Sequence, residues 1–387
     1  MLIVLIFLLV LSVLVLIHEF GHFIAARIFG VKADEFGYGF PPRVVGIVKD
    51  KGKWHKVSGK DEKEYQNTIW SLNWLPLGGF VRIKGENGED ETIKDKDAFH
   101  AKPIWQRIII LAAGVAMNWL LAFVLFTGIF TFGATAILDG VPADAKIENR
   151  EVRITNLVSG GPADKAGLIP GDAIISIAGI KAGDYEQART TIADQKDKPF
   201  EVDYQRDGES KKVTVNPIYL EEIKKFGIGV GLADVGKVKF RFDRALLYAG
   251  EAVVGYTRDI VVSFGTLIRD LVLLRHVEQE VAGPIGIAVI TGQVAKQGIV
   301  PLLQFAAILS INLAVVNFLP IPALDGGRVF FLIIEKIRRK PVARRVEARI
   351  HQIAFLTLIV LILLVTLRDI GKYGGVIWGG IKGMVGI

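Results

Sequence analysis

His18-Glu19-Phe20-Gly21-His22 lies inside an apolar run that begins at Leu2. On a helix, positions four apart share one face, about one turn from each other. His18 and His22 can therefore point two imidazoles at one ion. Glu19, beside the first of them, can take a proton from a water on that ion. Ionisable groups this dense are costly in hydrocarbon, so an incidental polar patch is the weaker reading. The surrounding run, residues 1–30, is long enough for a first membrane-crossing helix, and that decides the fold class. His18 would sit about 24 Å along it from Leu2 at the helical rise, deep in the bilayer but nearer the far face. Retention of this span is expected, because no Lys or Arg precedes it and no clear small-residue cleavage site follows.

Composition agrees. Of 387 residues, 51% are hydrophobic, too many for an ordinary soluble enzyme. The chain has no cysteine, which excludes disulfides and thiolate metal sites. The net charge of +7 is assigned to loops on the cytoplasmic side and not to nucleic acid, since no Arg- and aromatic-rich binding motif accompanies it.

Outward from the first span, residues 31–104 are polar and read as a loop. Residues 49–64 within it look charged and flexible. Residues 72–83 mix β-branched and aromatic residues with Gly and Pro. They read as strands bent at a Gly-Gly turn, apolar enough to touch the membrane or line a cleft. Residues 105–132 form a second span, with Gly114 and Asn118 at helix-packing spacing. Residues 139–220 return to soluble composition. There Gly161-Pro162-Ala163-Asp164-Lys165-Ala166-Gly167-Leu168-Ile169-Pro170-Gly171-Asp172 resembles the core of a PDZ domain, a module that binds extended peptides at a sheet edge. Residues 221–300 read as an amphipathic helical connector, with Gly283-Pro284-Ile285-Gly286 as a loop or re-entrant turn. Residues 301–335 form a third span broken at Pro320, Pro322, Gly326 and Gly327. Residues 336–352 are a short basic loop, and 353–374 a fourth span. The expected fold is thus a polytopic α-helical membrane protein with four transmembrane helices, one inserted extracytoplasmic PDZ domain and a membrane-associated β-hairpin.

Lys336, Arg338, Arg339, Lys340, Arg344, Arg345 and Arg349, against Glu347 alone, place the basic loop in the cytoplasm. Residues 31–104 are then cytoplasmic as well, and the PDZ region lies outside. A catalytic zinc needs three protein ligands and an open position. Asp325 lies near the cytoplasmic end of the third span, at the depth of His18 and His22, where a broken helix implies a wet pocket. A helix cap is the alternative reading of Asp325.

His-Glu-x-x-His on a helix is the arrangement of metalloproteases. With Asn317-Phe318-Leu319-Pro320-Ile321-Pro322-Ala323-Leu324-Asp325-Gly326-Gly327-Arg328, the Pro76-Leu77-Gly78-Gly79-Phe80-Val81 loop and one PDZ segment, nearly the whole chain resembles the site-2 protease family, in its bacterial regulator-of-sigma-E protease branch. The resemblance implies an intramembrane zinc metalloprotease in a bacterial cytoplasmic membrane. It implies one zinc on His18, His22 and Asp325, Glu19 as general base, and Asn317, Pro320, Pro322, Leu77, Gly78, Gly79, Phe80 and Val81 at the substrate. The implied partners are the lipid bilayer, single-span membrane proteins such as trimmed anti-sigma factors or remnant signal peptides, and a peptide or substrate ectodomain at the PDZ domain. A single PDZ domain departs from relatives with a tandem pair. A zinc transporter or a membrane adaptor is the competing class. The spans are nearly free of ionisable groups outside the motifs, and an adaptor has no use for Glu19.

Overall fold

Helix α1 (Leu2–Ile28) buries Leu14, His18, Gly21, His22, Ala25 and Ala26, spaced by three and four along one stripe. That stripe meets α2 (Ile104–Phe132). A Cβ on Gly21 would come within 2.3 Å of the Ala113 carbonyl oxygen, so the two backbones touch where a side chain is missing. The computed structural model describes residues 2–59, 63, 65–86, 95–206, 208–220, 225–273, 282–340 and 342–385. The chain divides into two compact units, one of Met1–Phe126 with Ala249–Ile387 and one of Thr127–Tyr248.

In the first unit, strands β1 (Ala33–Asp50), β2 (Lys53–Ser58) and β3 (Ile69–Ile83) form one antiparallel sheet. Both long strands bend. Residues 45–47 and residues 36–38 of β1 pair with opposite edges of residues 70–72, and 36–38 also pair with 79–81. The spatial order is therefore β2, 43–50, 69–75, 33–40, 79–83, with β2 and 79–83 at the edges. The bend in β1 is clipped by Arg43, whose guanidinium donates to both oxygens of the buried Glu35 at 2.8 and 2.5 Å. Burial pushes the Glu35 carboxyl up, but the Arg43 and Ser71 hydrogen bonds and the nearby guanidinium charges outweigh it and hold the carboxyl below its ordinary range. The bend in β3 presses on α1. A Cβ on Gly78 (φ +68°) would come within 2.7 Å of Val15, and Ser12 Oγ donates to the Pro76 carbonyl and accepts from Gly78 N–H.

The β1–β2 hairpin overturns the flexible loop expected from the charges of residues 49–64. Val48 and Val57 face inward between those charges and are fully buried, and this alternation sets the strands. The last part of that loop, residues 60–62 and 64, lies outside the described residues.

The second unit holds β4 (Ala134–Ile137), β5 (Lys146–Leu157), the short helix α3 (Pro162–Lys165), β6 (Ala173–Ile177), β7 (Ile180–Lys181), α4 (Tyr185–Asp194), β8 (Phe200–Arg206) and β9 (Glu209–Val215). A hairpin of β10 (Ile218–Leu220) and β11 (Lys225–Gly227) leads to β12 (Val230–Lys239). The sheet order is β4-β12-β5-β6-β8-β9, with β7 on β6. Val152, Ile154, Leu168, Ile177, Val202 and Val215 are buried in its core. The sheet thus reaches past 139–220 in both directions. β12 was not expected in a helical connector. Its glycines dilute the period-two signal, but pairing with both β4 and β5 makes it a central strand.

Helix α5 (Phe242–Val272) carries the chain from the second unit back to the first. The connector's residues 221–224 and 274–281 lie outside the described residues. Gly283 is not part of a re-entrant turn. It caps α6 (Pro284–Lys296), with Pro284 in the first turn, where a missing N–H costs nothing. α7 (Ile299–Phe318) and α8 (Asp325–Arg338) are separated by residues 319–324, and α9 (Arg344–Val385) follows.

Among the described residues, α1, α2, α7 and residues 345–372 of α9 are long and apolar enough to cross a membrane. Leu356, Val360, Leu363, Leu364 and Leu367 of α9 are exposed on the protein, a surface that only lipid or another apolar partner would cover.

Candidate metal centre

One turn of α1 separates His18 and His22, both buried, with ring centroids 4.8 Å apart. The first residue of α8 closes the group. Asp325 Oδ2 lies 2.9 Å from His18 Nε2 and 3.3 Å from His22 Nε2, and the two Nε2 atoms are 3.2 Å apart. Among the described residues this is the one group of three such side chains able to hold a metal ion. The loop before Asp325 folds tightly against α8. Cβ atoms on Gly326 and Gly327 would come within 2.3 Å of the Leu319 and Ile321 carbonyl oxygens. The glycine pair is what lets the helix restart there.

The neighbours of the two rings orient them. His22 Nδ1 lies 2.8 Å from the Ile110 carbonyl oxygen, so that nitrogen carries the proton and Nε2 presents its lone pair to the centre. His18 Nδ1 lies 3.2 Å from the amide of Asn118, which is fully buried. With its oxygen turned to the ring, that amide accepts the Nδ1 proton and frees Nε2 in the same way. Ser310 Oγ on α7 donates to the Asn118 carbonyl and ties the helix carrying Asn118 to the helix before the Asp325 loop. Gly114, one turn before Asn118, leaves the space the rings occupy. A Cβ there would lie 2.4 Å from His22 Nε2 and 2.7 Å from His18 Nε2.

Residues 6–361 match peptidase family M50. The chain belongs to that family. Among its M50 relatives, "Regulator of sigma-W protease RasP" of Bacillus subtilis is 30% identical over 444 residues, covering 95% of this chain and 97% of the relative. "Zinc metalloprotease RasP" of Geobacillus kaustophilus is 31% identical with the same coverage. A Clostridium perfringens relative is 33% identical over 364 residues, 94% of this chain and 97% of its own. The solved PDZ domain of the SdrC-like protein from Listeria monocytogenes aligns with 22% of this chain and 92% of its own at 19% identity, with a TM-score of 0.21. The M50 chain is a metalloprotease with several membrane-crossing helices.

The remaining expected residues lie on α1, on β3, at the end of α7 and in the loop after it. Glu19 Oε2 accepts a hydrogen bond from Val81 N–H at 3.1 Å, so the edge segment 79–83 runs beside this carboxylate. Asn317 Nδ2 is 3.5 Å from His18 Nε2. Gly78 and Gly79 pack on Val15 and Leu16 of α1, and Phe80 pairs across the sheet with Gly37. Leu77 is described by its backbone alone, in β3. Pro320 is exposed and Pro322 half-buried in the loop between α7 and α8. Sequence reasoning assigned Gly114 and Asn118, by their four-residue spacing, to helix packing, which is the commoner role of such a pair. It passed over His351, a lone histidine at the end of the basic loop 336–352 with no motif around it.

Proposed function

We propose that this chain is an intramembrane zinc protease that cuts peptide bonds in or near the membrane segment of single-span proteins. The observation that carries this reading is the triangle of His18 Nε2, His22 Nε2 and Asp325 Oδ2, with Glu19 on the next position of the same helix. A tetrahedral zinc with ligands at about 2.0–2.1 Å sets its donors roughly 3.3 Å apart. The three separations here, 2.9, 3.2 and 3.3 Å, fit that ion. Two imidazole lone pairs and a carboxylate oxygen repel at such distances unless a shared proton or a metal cation lies among them.

Bound there, zinc supplies Lewis acidity, polarising the scissile carbonyl and lowering the pKa of a bound water toward about 7. Glu19 takes the water proton on its carboxylate and passes it to the leaving amine. Val81 N–H holds that carboxylate in place. A helical substrate hides its carbonyls in hydrogen bonds and must be unwound first. The edge formed by 79–83 offers backbone for an extended substrate strand beside Glu19. The Asn317 amide, 3.5 Å from His18 Nε2, would hydrogen-bond the substrate backbone.

The basic residues between 336 and 349 orient the chain with the centre near the cytoplasmic face and the 134–239 sheet outside, in a bacterial cytoplasmic membrane. The sheet unit acts as a PDZ domain that takes a peptide or the outer part of a substrate. Trimmed anti-sigma factors and remnant signal peptides are the substrate class. Glu19→Gln tests the reading. The variant should keep stoichiometric zinc, lose cleavage by about a hundredfold or more, and cause uncut membrane proteins to accumulate in cells. Unchanged turnover would reject the assignment of Glu19.

A further inference from the structure

We propose that His351 on α9 is a positioning residue that latches the Asp325 loop into the shape the metal centre needs. The loop, residues 319–324, has two prolines without N–H groups. The N–H groups of Leu319, Ile321 and Leu324 go to carbonyls nearby in the chain. The N–H of Ala323 instead donates to the ring of His351 at 2.8 Å, on a helix that begins after the loop and its following helix have ended. Ala323 also has φ +81°, a left-handed conformation that a residue with a Cβ adopts only when its surroundings enforce it. The strained residue and its outside partner therefore coincide, two positions before Asp325.

The ring is itself oriented. Nδ1 accepts from Ala323, so Nε2 carries the proton, and it faces Glu347 Oε1 at 4.0 Å one turn back along α9. The opposite support is apolar, with Phe331 of α8 5.4 Å away between ring centroids. Helices α8 and α9 thus hold the imidazole from two sides, and its nitrogen holds Ala323. Released from it, residue 323 relaxes toward ordinary backbone angles and carries Asp325 Oδ2 away from the two histidine nitrogens. His351 touches neither the reacting atoms nor the three donors. Its effect runs through the loop.

The inference rests on reading His18, His22 and Asp325 as the metal ligands. The experiment uses the full chain in detergent or bicelles, with zinc affinity measured by competition with a chromophoric chelator and turnover measured on a membrane peptide. His351→Phe keeps the ring and its contact with Phe331 but has no acceptor. It should weaken zinc binding about tenfold and lower kcat with it. His351→Asn, whose side-chain oxygen can stand near Nδ1, should recover most of that loss. Ala323→Gly alone should change zinc affinity less than about twofold. Combined with His351→Phe it should restore affinity, because glycine adopts the left-handed conformation without a latch. A general weakening of α9 would not be repaired by glycine at 323. Asp325→Ala serves as the control. If it keeps zinc, the ligand reading fails. If it loses zinc while His351→Phe binds as the wild type does, or if neither Asn at 351 nor Gly at 323 restores the loss, the latch is wrong and the ligand reading stands.

Discussion

Gly114 shows how much a site can depend on an atom that is not there. Its backbone lies against both imidazoles, and the nearest approach of an added Cβ would be to the two nitrogens that face the centre. A methyl group at that point displaces the rings or fills the space of an ion, while the helix around it gains propensity. Gly114→Ala should therefore fold and insert normally yet bind zinc at least tenfold more weakly, with activity falling in parallel. Metal titration beside thermal unfolding checks this. Wild-type zinc affinity in the variant would mean that the rings move aside freely. The neighbouring Asn118→Ala would act differently, because it removes the partner of His18 Nδ1 without adding bulk.

At the scale of elements, β3 does two things at once. Its first half fills the middle of the sheet, and after the bend at Pro76–Gly78 its second half becomes an edge beside Glu19. Val81→Pro removes the N–H that holds the Glu19 carboxylate and spoils the edge for a substrate strand. Cleavage should slow about tenfold or more with zinc retained, and unchanged rates on a membrane substrate would count against both roles. The bend in β1 depends on the Arg43–Glu35 pair. Because the folded Glu35 carboxyl titrates below its unfolded value of about 4.3, its contribution is fully present above that pH and is lost as pH falls through the folded value. Arg43→Met should lower the melting temperature near pH 7, and the gap to wild type should narrow below about pH 4. A gap independent of pH would place the effect of Arg43 in packing alone. The sequence was most legible where chemistry is dense. His18, Glu19, His22 and Asp325 announced themselves because charged groups in apolar helices need a reason. The strands were harder. Glycines in β12 dilute its alternation, and the lysines around Val48 and Val57 resemble a flexible loop until the pairing is seen. Asn118 and His351 were harder still, since what they do lies in partners 100 and 28 residues away.

At the scale of the whole molecule, the proposed orientation assigns the sheet unit to the outer side of the membrane and the metal centre to the cytoplasmic end of its helices. In that arrangement the sheet unit would supply no catalytic group and would instead select substrates by the size of what remains outside. A bulky folded outer domain would collide with it, whereas a trimmed stub would pass or dock as an added strand. The sheet topology determines how this can be tested. Cutting out 152–215 alone would remove half of β5 together with β6, β8 and β9 and leave residues 230–234 of β12 without their partners, so the result would report misfolding. The unit has a cleaner boundary. Phe240 N–H donates to the Phe130 carbonyl at 2.9 Å, so the chain enters and leaves the sheet at neighbouring points. Replacing residues 134–239 with a short Gly/Ser linker should therefore keep the two flanking helices in place. The shortened protein should retain zinc and cleave a membrane segment with a short outer stub at a rate within a few-fold of the full chain. It should also accept the same segment carrying a folded outer domain, which the full chain should reject. Measuring both substrates on both proteins separates the cases. If the replacement abolished cleavage of both while zinc and thermal unfolding of the helices stayed intact, the sheet unit would be needed for catalysis itself and the filter reading would fail.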